Sequence, residues 1–284
     1  MPSQYVFGSQ GPKGPGKPLL TADTTFYLRQ DGNDTQTGAA DNIGEAWKTL
    51  QHAFDWVAQN VSCNGYVVTF QLADGSYAGY VSGLAGVYAK PDGVIYLHGN
   101  ATNPENVIIT SVSFRCIGLA ESGPAYPVYI NNVTFQGNSA FDTGVACVYS
   151  PNAVTLGASL NLATLGTIRF TGQFRQMVYA NFGASIEIYG TVKLALSANF
   201  TQFAIAEDRG FAQIGTDVIS MDIARSFTNF ITASFGADTF YSNSSEIGTF
   251  TGRKYSINSN SVLRTFSTVP GTVAGVTATG GQVV

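Results

Sequence analysis

The amino-acid sequence predicts a mostly β chain wound as a parallel β-helix behind a single N-terminal capping α-helix. Three observations lead there. Composition is the first: charged residues are only 11% of the 284, against about 25% in ordinary soluble domains, while glycine reaches 32 and aromatic residues 12%. Runs such as VVTF, VIYL, VIIT and VYINNVTF are β-branched or aromatic and suit pleated, half-buried strands. The second is that one segment alone, IGEAWKTLQHAFDWVAQNV, carries convincing helical periodicity. The third is a degenerate repeat. VYSPNAVTLGA from Val148, VYANFGASIEI from Val178, IAEDRGFAQIG from Ile205, ITASFGADTFY from Ile231 and YSINSNSVLRT from Tyr255 align at spacings of 30, 27, 26 and 24 residues, which is what one solenoid rung consumes.

Taken in order, residues 1–25 read as an extended attachment segment, because GSQGPKGPGKP spaces Gly and Pro so that only extended backbone fits. Residues 26–66 read as a cap made of the strand Phe26–Leu28, a polar turn and the helix, whose Trp47, Leu50, Phe54 and Val57 share one face. A solenoid needs such a plug, since its first rung otherwise exposes an apolar interior and unpaired backbone groups. Residues 67–266 read as the solenoid, with roughly eight rungs of about 25 residues each. Its connections, marked by Asp74-Gly75, Asp92-Gly93 and Asn103-Pro104, are too short for repeated crossover helices. Gly183, Gly210 and Gly236 share one offset in the aligned segments, where the turn is expected to require a residue without a Cβ. The remainder, 267–284, is an uncharged extended tail expected to lie along its own solenoid or across neighbouring chains, with the second preferred for its lack of polar surface.

A formal charge of −4 with 14 Lys and Arg leaves no basic stripe to release counterions, so nucleic acid is not expected as a partner. Neither a signal-peptide core nor an apolar run of membrane-spanning length is found, so synthesis as a cytoplasmic product without membrane insertion is expected. Cys63, Cys116 and Cys147 are scattered and read as buried small hydrophobes. His52 and His98 have no partners at metal or triad spacing, and no cofactor or metal is expected. The DGND run at Asp31 to Asp34 offers oxygens for Ca²⁺ without the remaining loop ligands, so a turn held by Asx hydrogen bonds is preferred.

The succession FYLRQDGNDTQTG, AWKTLQHAFDWV and GYVVTFQLADGSYAGYV resembles the N-terminal cap and first rung of pectin-lyase-like right-handed β-helix proteins. The matching positions are Gly32, Asp34 and Gly38, then Thr49, Gln51 and Phe54 with Ala53 near the usual alanine, then Gly75 and Tyr77. The closing VPGTVAGVTATGGQ is similar to the C-terminal ends of prophage and tail-fibre proteins that carry this cap. The resemblance spans Phe26 to Tyr77 and the last 16 residues. It implies a right-handed coil serving as a fibre or spike subunit of a bacteriophage-like particle. Such a subunit would be displayed on the virion surface, joined to other virion proteins through its N-terminal segment, homotrimeric, and bound to host-surface polysaccharide during adsorption. The same front end serves lyases and hydrolases, so a capsular polysaccharide depolymerase is the alternative.

A depolymerase needs an acid and a base or nucleophile. The best acidic cluster is Glu207, Asp208, Asp217 and Asp222, with Arg209 and Arg225 nearby in sequence. On that alternative alone, Glu207, Asp217 and Asp222 are the catalytic candidates, and the alignment sets Asp208 level with Asn181 and Ser234. Exposed ion-paired turn residues are the competing explanation. For glycan binding the candidates are Tyr149, Tyr179, Tyr189 and Tyr241, since a ring offers a flat face to sugar C–H groups while the hydroxyl stays wet. At least half of these tyrosines and of Phe182, Phe211, Phe235 and Phe240 are expected in interior stacks.

Overall fold

The computed structural model describes residues 17–81, 93–119, 127–148, 153–156, 166–196, 198–221 and 224–284. The proline- and glycine-rich part of the expected attachment segment, up to residue 16, lies outside them.

The chain is mostly β, and among the described residues every strand-to-strand ladder is parallel, with one isolated antiparallel bridge between Val112 and Arg115. The strands form three ladders that the chain visits in rotation. Ladder A runs from Thr24–Leu28 through Val67–Leu72, Val94–His98, Pro127–Asn131 and Ala153–Leu156. It continues through the first halves of Ser185–Leu196, Phe211–Met221 and Asp238–Ile247 to Val262–Thr265 and Gln282–Val283. Ladder B holds Gly75–Ala78, Val107–Thr110, Val133–Asn138, the start of Gly166–Asn181, and the second halves of the three long strands just named. Ladder C holds Tyr80–Val81, Arg115–Leu119, Thr143–Val148, the end of Gly166–Asn181, then Asn199–Ala206, Arg225–Ala233, Phe250–Ile257 and Val276–Thr277. Between Val67 and Thr265 ladder A contains eight described strands, the number of rungs the sequence predicts.

Alternation along a strand decides which side chains meet between the ladders. In ladder A one buried column runs Val68, Ile95, Val128, Val154, Ile186, Ala212, Thr239 and Leu263. Two residues further along each strand a second column runs Phe70, Leu97, Ile130, Leu156, Ile188, Ile214 and Tyr241. Interior aromatics stack from rung to rung: Phe203 on Phe230 at 4.7 Å between centroids, Phe200 on Phe227 at 5.4 Å. The rings expected in such stacks are mostly elsewhere, since Phe182 and Phe235 are exposed and Phe211 and Phe240 are only half-buried. Cys63 and Cys116 are fully buried, as expected, whereas the side chain of Cys147 lies outside the described residues.

The first strand and the helix form where the sequence predicts them, with one addition. The helix spans Leu50–Asn60 and buries Leu50, Phe54 and Val57, while Trp47 precedes it, bridges to Leu28 and stacks on Phe26 at 4.6 Å. Thr49 caps it, its hydroxyl accepting from the His52 amide at 3.1 Å. Asp34 of the DGND run fastens the turn to this cap, accepting from the amides of Lys48 at 2.8 Å and Thr49 at 2.9 Å and from the Thr49 hydroxyl at 2.6 Å.

Ladders C and A are joined by a repeated four-residue turn: Asn181–Ala184, Glu207–Gly210, Ser234–Ala237, Asn258–Ser261 and Ala278–Gly281. Each closes with an amide-to-carbonyl bond from its fourth residue to its first. Both central residues have φ > 0, the type I′ geometry that favours Asn and Gly. The turns also bond to one another, Arg209 N to Phe235 O at 3.2 Å and Gly236 N to Ser259 O at 2.9 Å.

This register corrects the sequence alignment at three of its four joins. Val178 lies opposite Ala204 rather than Ile205, and Val148 lies opposite Asn181. Aligning on glycine sets the segment from Ile205 one residue out of phase with both neighbours, for Ile205 also lies opposite Thr232 and not Ile231. Gly183 and Gly236 do occupy left-handed positions, but their equivalent is Arg209, with φ +65. Gly210 is needed instead for closeness, because a Cβ there would stand 2.5 Å from the Ala180 carbonyl oxygen. The tail takes the intrachain one of its two expected placements. Val276–Thr277 and Gln282–Val283 add to ladders C and A, where they satisfy backbone groups of Phe250–Ile257 and Val262–Thr265.

Candidate functional site

The outer face of ladder C carries a cleft of about 590 Å³. Its floor is a polar column, because Arg115, Thr143, Gln176 and Gln202 are in register on successive rungs, and the same column runs on beyond the cleft through Asn229 and Arg253. Side-chain amides bond along the column: Gln202 Nε2 donates to the Thr232 hydroxyl at 3.0 Å, and Asn229 Nδ2 to the same oxygen at 3.3 Å. Two phenylalanines stand at its rim, Phe114 and Phe141, which are 64% and 74% exposed. They come from the turns preceding Arg115–Leu119 and Thr143–Val148, and Phe114 has φ +66.

Tyr179 and Glu207 close the cleft at its corner with ladder A. The Tyr179 hydroxyl donates to Glu207 Oε2 at 3.0 Å and accepts from Asn181 Nδ2 at 2.6 Å. Burial, and secondarily the Glu207 carboxylate, push the phenol up to about 12. It is therefore a neutral donor at physiological pH, not a base. Arg115 and Arg175 also line the cleft, and among the described residues neither guanidinium has an ion-pair partner. The chemistry on offer is aromatic faces at the rim, amides and a hydroxyl on the floor, one carboxylate and two guanidiniums. That set can bind a polyhydroxylated ligand without demanding a proton transfer.

A raised phenol pKa predicts a defined titration. In the unfolded chain a tyrosine ionises near about 10, so the native preference for the neutral phenol stabilises the fold below pH 10 and is lost as pH rises through about 12. The absorbance difference between wild type and Tyr179→Phe at 295 nm is expected to titrate near that upper value. Glu207→Gln is expected to lower the midpoint without restoring the ordinary value, since burial is the larger cause. An ordinary midpoint in the wild type would contradict the contact.

The sequence-derived candidates separate as follows. Tyr179, a binding candidate, and Glu207, a catalytic one, meet in a single cleft. Tyr241 is a correction: the period-two register turns it inward, it is fully buried, and its hydroxyl donates to Glu246 Oε1 at 3.1 Å, so it offers no surface to a ligand. Tyr149 and Asp222 lie outside the described residues, as do the side chains of Tyr189 and Asp217, whose backbones belong to Ser185–Leu196 and Phe211–Met221. The expected level of Asp208 with Asn181 and Ser234 is also corrected, for Glu207 takes that place and Asp208 stands level with Phe182 and Phe235. Sequence reasoning missed Phe114, Phe141, Arg115, Arg175, Gln176 and Gln202. For the two phenylalanines a signal did exist, since SVSFRC and GNSAFDTG each set an aromatic among turn residues.

Compared with protein families, with characterised proteins and with solved structures, the chain matches none.

Proposed function

We propose that the chain is a right-handed parallel β-helix that serves as a fibre or spike subunit of a bacteriophage-like particle and binds host-surface glycan for adsorption. The observation that carries the binding part is the cleft on ladder C, where exposed rings border a column of amides and the Tyr179–Glu207 pair. Sugars are bound by that combination, with C–H faces on aromatic rings and hydroxyls on neutral polar groups and carboxylates. The coil part is supported by three parallel ladders visited in rotation, with a helix at the first rung. The particle part rests on the resemblance of the cap and the closing segment, and attachment to other virion proteins through the N-terminal segment and a homotrimeric state are proposed with it.

The test is binding of the purified chain to an array of bacterial surface polysaccharides, followed by titration calorimetry on the strongest. Tyr179→Ala is expected to weaken that binding by about tenfold or more, through loss of ring and hydroxyl together. An array without signal would overturn the reading, and light scattering that finds only monomers at micromolar concentration would overturn the trimer.

One observation favours a second reading, capsular polysaccharide cleavage: Glu207, a group able to take part in acid–base chemistry, faces the same cleft. New reducing ends or unsaturated uronates released from bound polysaccharide, and lost in Glu207→Gln, would establish cleavage over binding alone.

A further inference from the structure

We propose that the corner column Phe182–Asp208–Phe235 is a second sugar subsite, continuous with the first cleft around the Glu207–Gly210 turn, so that the ligand is an extended polysaccharide chain and not a single terminal sugar. The inference rests on the glycan-binding reading and deepens it.

The first ground is conformational. Eleven described non-glycine residues have φ in the left-handed region, and three are phenylalanine: Phe114, Phe182 and Phe235. A bulky side chain there is a true outlier, and such strain gathers where something other than folding is served. At the same turn position other rungs use Asp208, Ser259 and Thr279. Neither corner phenylalanine is sheltered by the fold, since Phe235 is 61% exposed and Phe182, with its own contacts made, is still 46% exposed. Each of the three left-handed phenylalanines lines one of two clefts.

The second ground is geometric. Phe182, Asp208 and Phe235 stand at one turn position on three successive rungs. Walls two rungs apart are separated by about 9.5 Å of ladder, and a pyranose ring between two carbon surfaces needs about 4 Å on each side. Between the walls lie Asp208 and Arg209, and with Gly183 they line a cleft of about 630 Å³. A carboxylate that accepts from paired hydroxyls and a guanidinium that donates to ring and hydroxyl oxygens are what a sugar clasped at its faces presents its edges to.

The third ground is continuity. Glu207 lines the first cleft and Asp208 the second, so consecutive residues of one turn face the two spaces. A polymer leaving Tyr179 meets the Phe182–Phe235 column next.

The polysaccharide with the strongest array signal, cut into fragments of graded length, provides the probe. The full chain is expected to bind long fragments at least about tenfold more tightly than short ones. In a Phe182→Asn/Phe235→Asn variant, whose new residues suit φ > 0, long fragments should fall to the affinity of short ones, while short-fragment binding stays as in wild type. Phe235→Tyr, which keeps the ring, should retain most of the increment. Tyr179→Ala should weaken both lengths. Unchanged length dependence in the double variant would overturn the subsite alone, as would a change in its oligomeric state, which would make the column a contact between copies. Failure of every fragment and of the intact polymer to bind the wild type would overturn the glycan reading and the subsite with it.

Discussion

Phe230→Ala is expected to lower stability by about 4 kcal/mol, within the range seen for emptied aromatic core sites. Phe230 has no exposed surface and is the hub of the C-terminal core. It stacks on Phe203 at 4.7 Å, tilts against Phe227 at 5.6 Å and meets Tyr241 and Phe250 edge-on at 6.0 Å. Parallel ladders fix the spacing between rungs through backbone bonds, so the neighbours are held away from the space that the ring vacates and cannot collapse into it. Thermal unfolding should shift down by about 10 °C. In an array of rungs the loss should also be local, with amide exchange accelerating first in Asn199–Ala206, Arg225–Ala233 and Phe250–Ile257. Phe235→Ala, the same chemical change at a ring 61% exposed, should alter stability by no more than about 0.5 kcal/mol. Equal effects at the two sites would refute the core assignment.

Asp34→Ala is expected to cost about 3 kcal/mol, felt in the cap before the rest of the chain. One carboxylate accepts three hydrogen bonds there, and two of the donors are the amides of Lys48 and of the N-cap Thr49, immediately before the helix. Without it the Thr49 amide loses its acceptor and the turn 31–38 is no longer tied to the helix. Asp34→Asn keeps an oxygen for the two amides and should recover more than half of the loss. Exchange protection of Leu50–Asn60 is the measurement, and full protection in Asp34→Ala would show that Trp47, buried between Phe26 and the helix, suffices to hold the cap.

The two predictions differ in how far the sequence anticipates them. The helix face is legible because 3.6 residues per turn separates Leu50, Phe54 and Val57 cleanly from Gln51 and Asp55, and the motif positions Gly32, Asp34 and Gly38 mark the turn that Asp34 ties down. The strand interior is less legible. In Gly166–Asn181 and Arg225–Ala233 apolar residues sit on both sides, so alternation alone does not say which ring points inward. In Asp238–Ile247 the adjacent Phe240 and Tyr241 leave alternation the same choice, and only the pairing of Tyr241 with Ile214 puts it inside. The repeat was matched through glycine, yet the turn needs two positive φ values, which Gly183 supplies at the place that Arg209 fills one rung later. The candidate cleft was half visible: Tyr179 and Glu207 were both singled out, for different reasons, while the arginines, amides and rim phenylalanines around them have no motif.

Composition, one amphipathic segment and a recurrence in the twenties were enough by themselves to determine a mostly β, parallel, repetitive chain with a helix at its head, since those features are properties of residues and of spacing along the chain. Which residues share a site was decided by tertiary structure alone. Ladder register brings Tyr179 to Glu207, 28 positions on, and levels Phe182 with Phe235, and a slip of one residue per rung, to which composition is blind, would turn every one of those side chains to the opposite face.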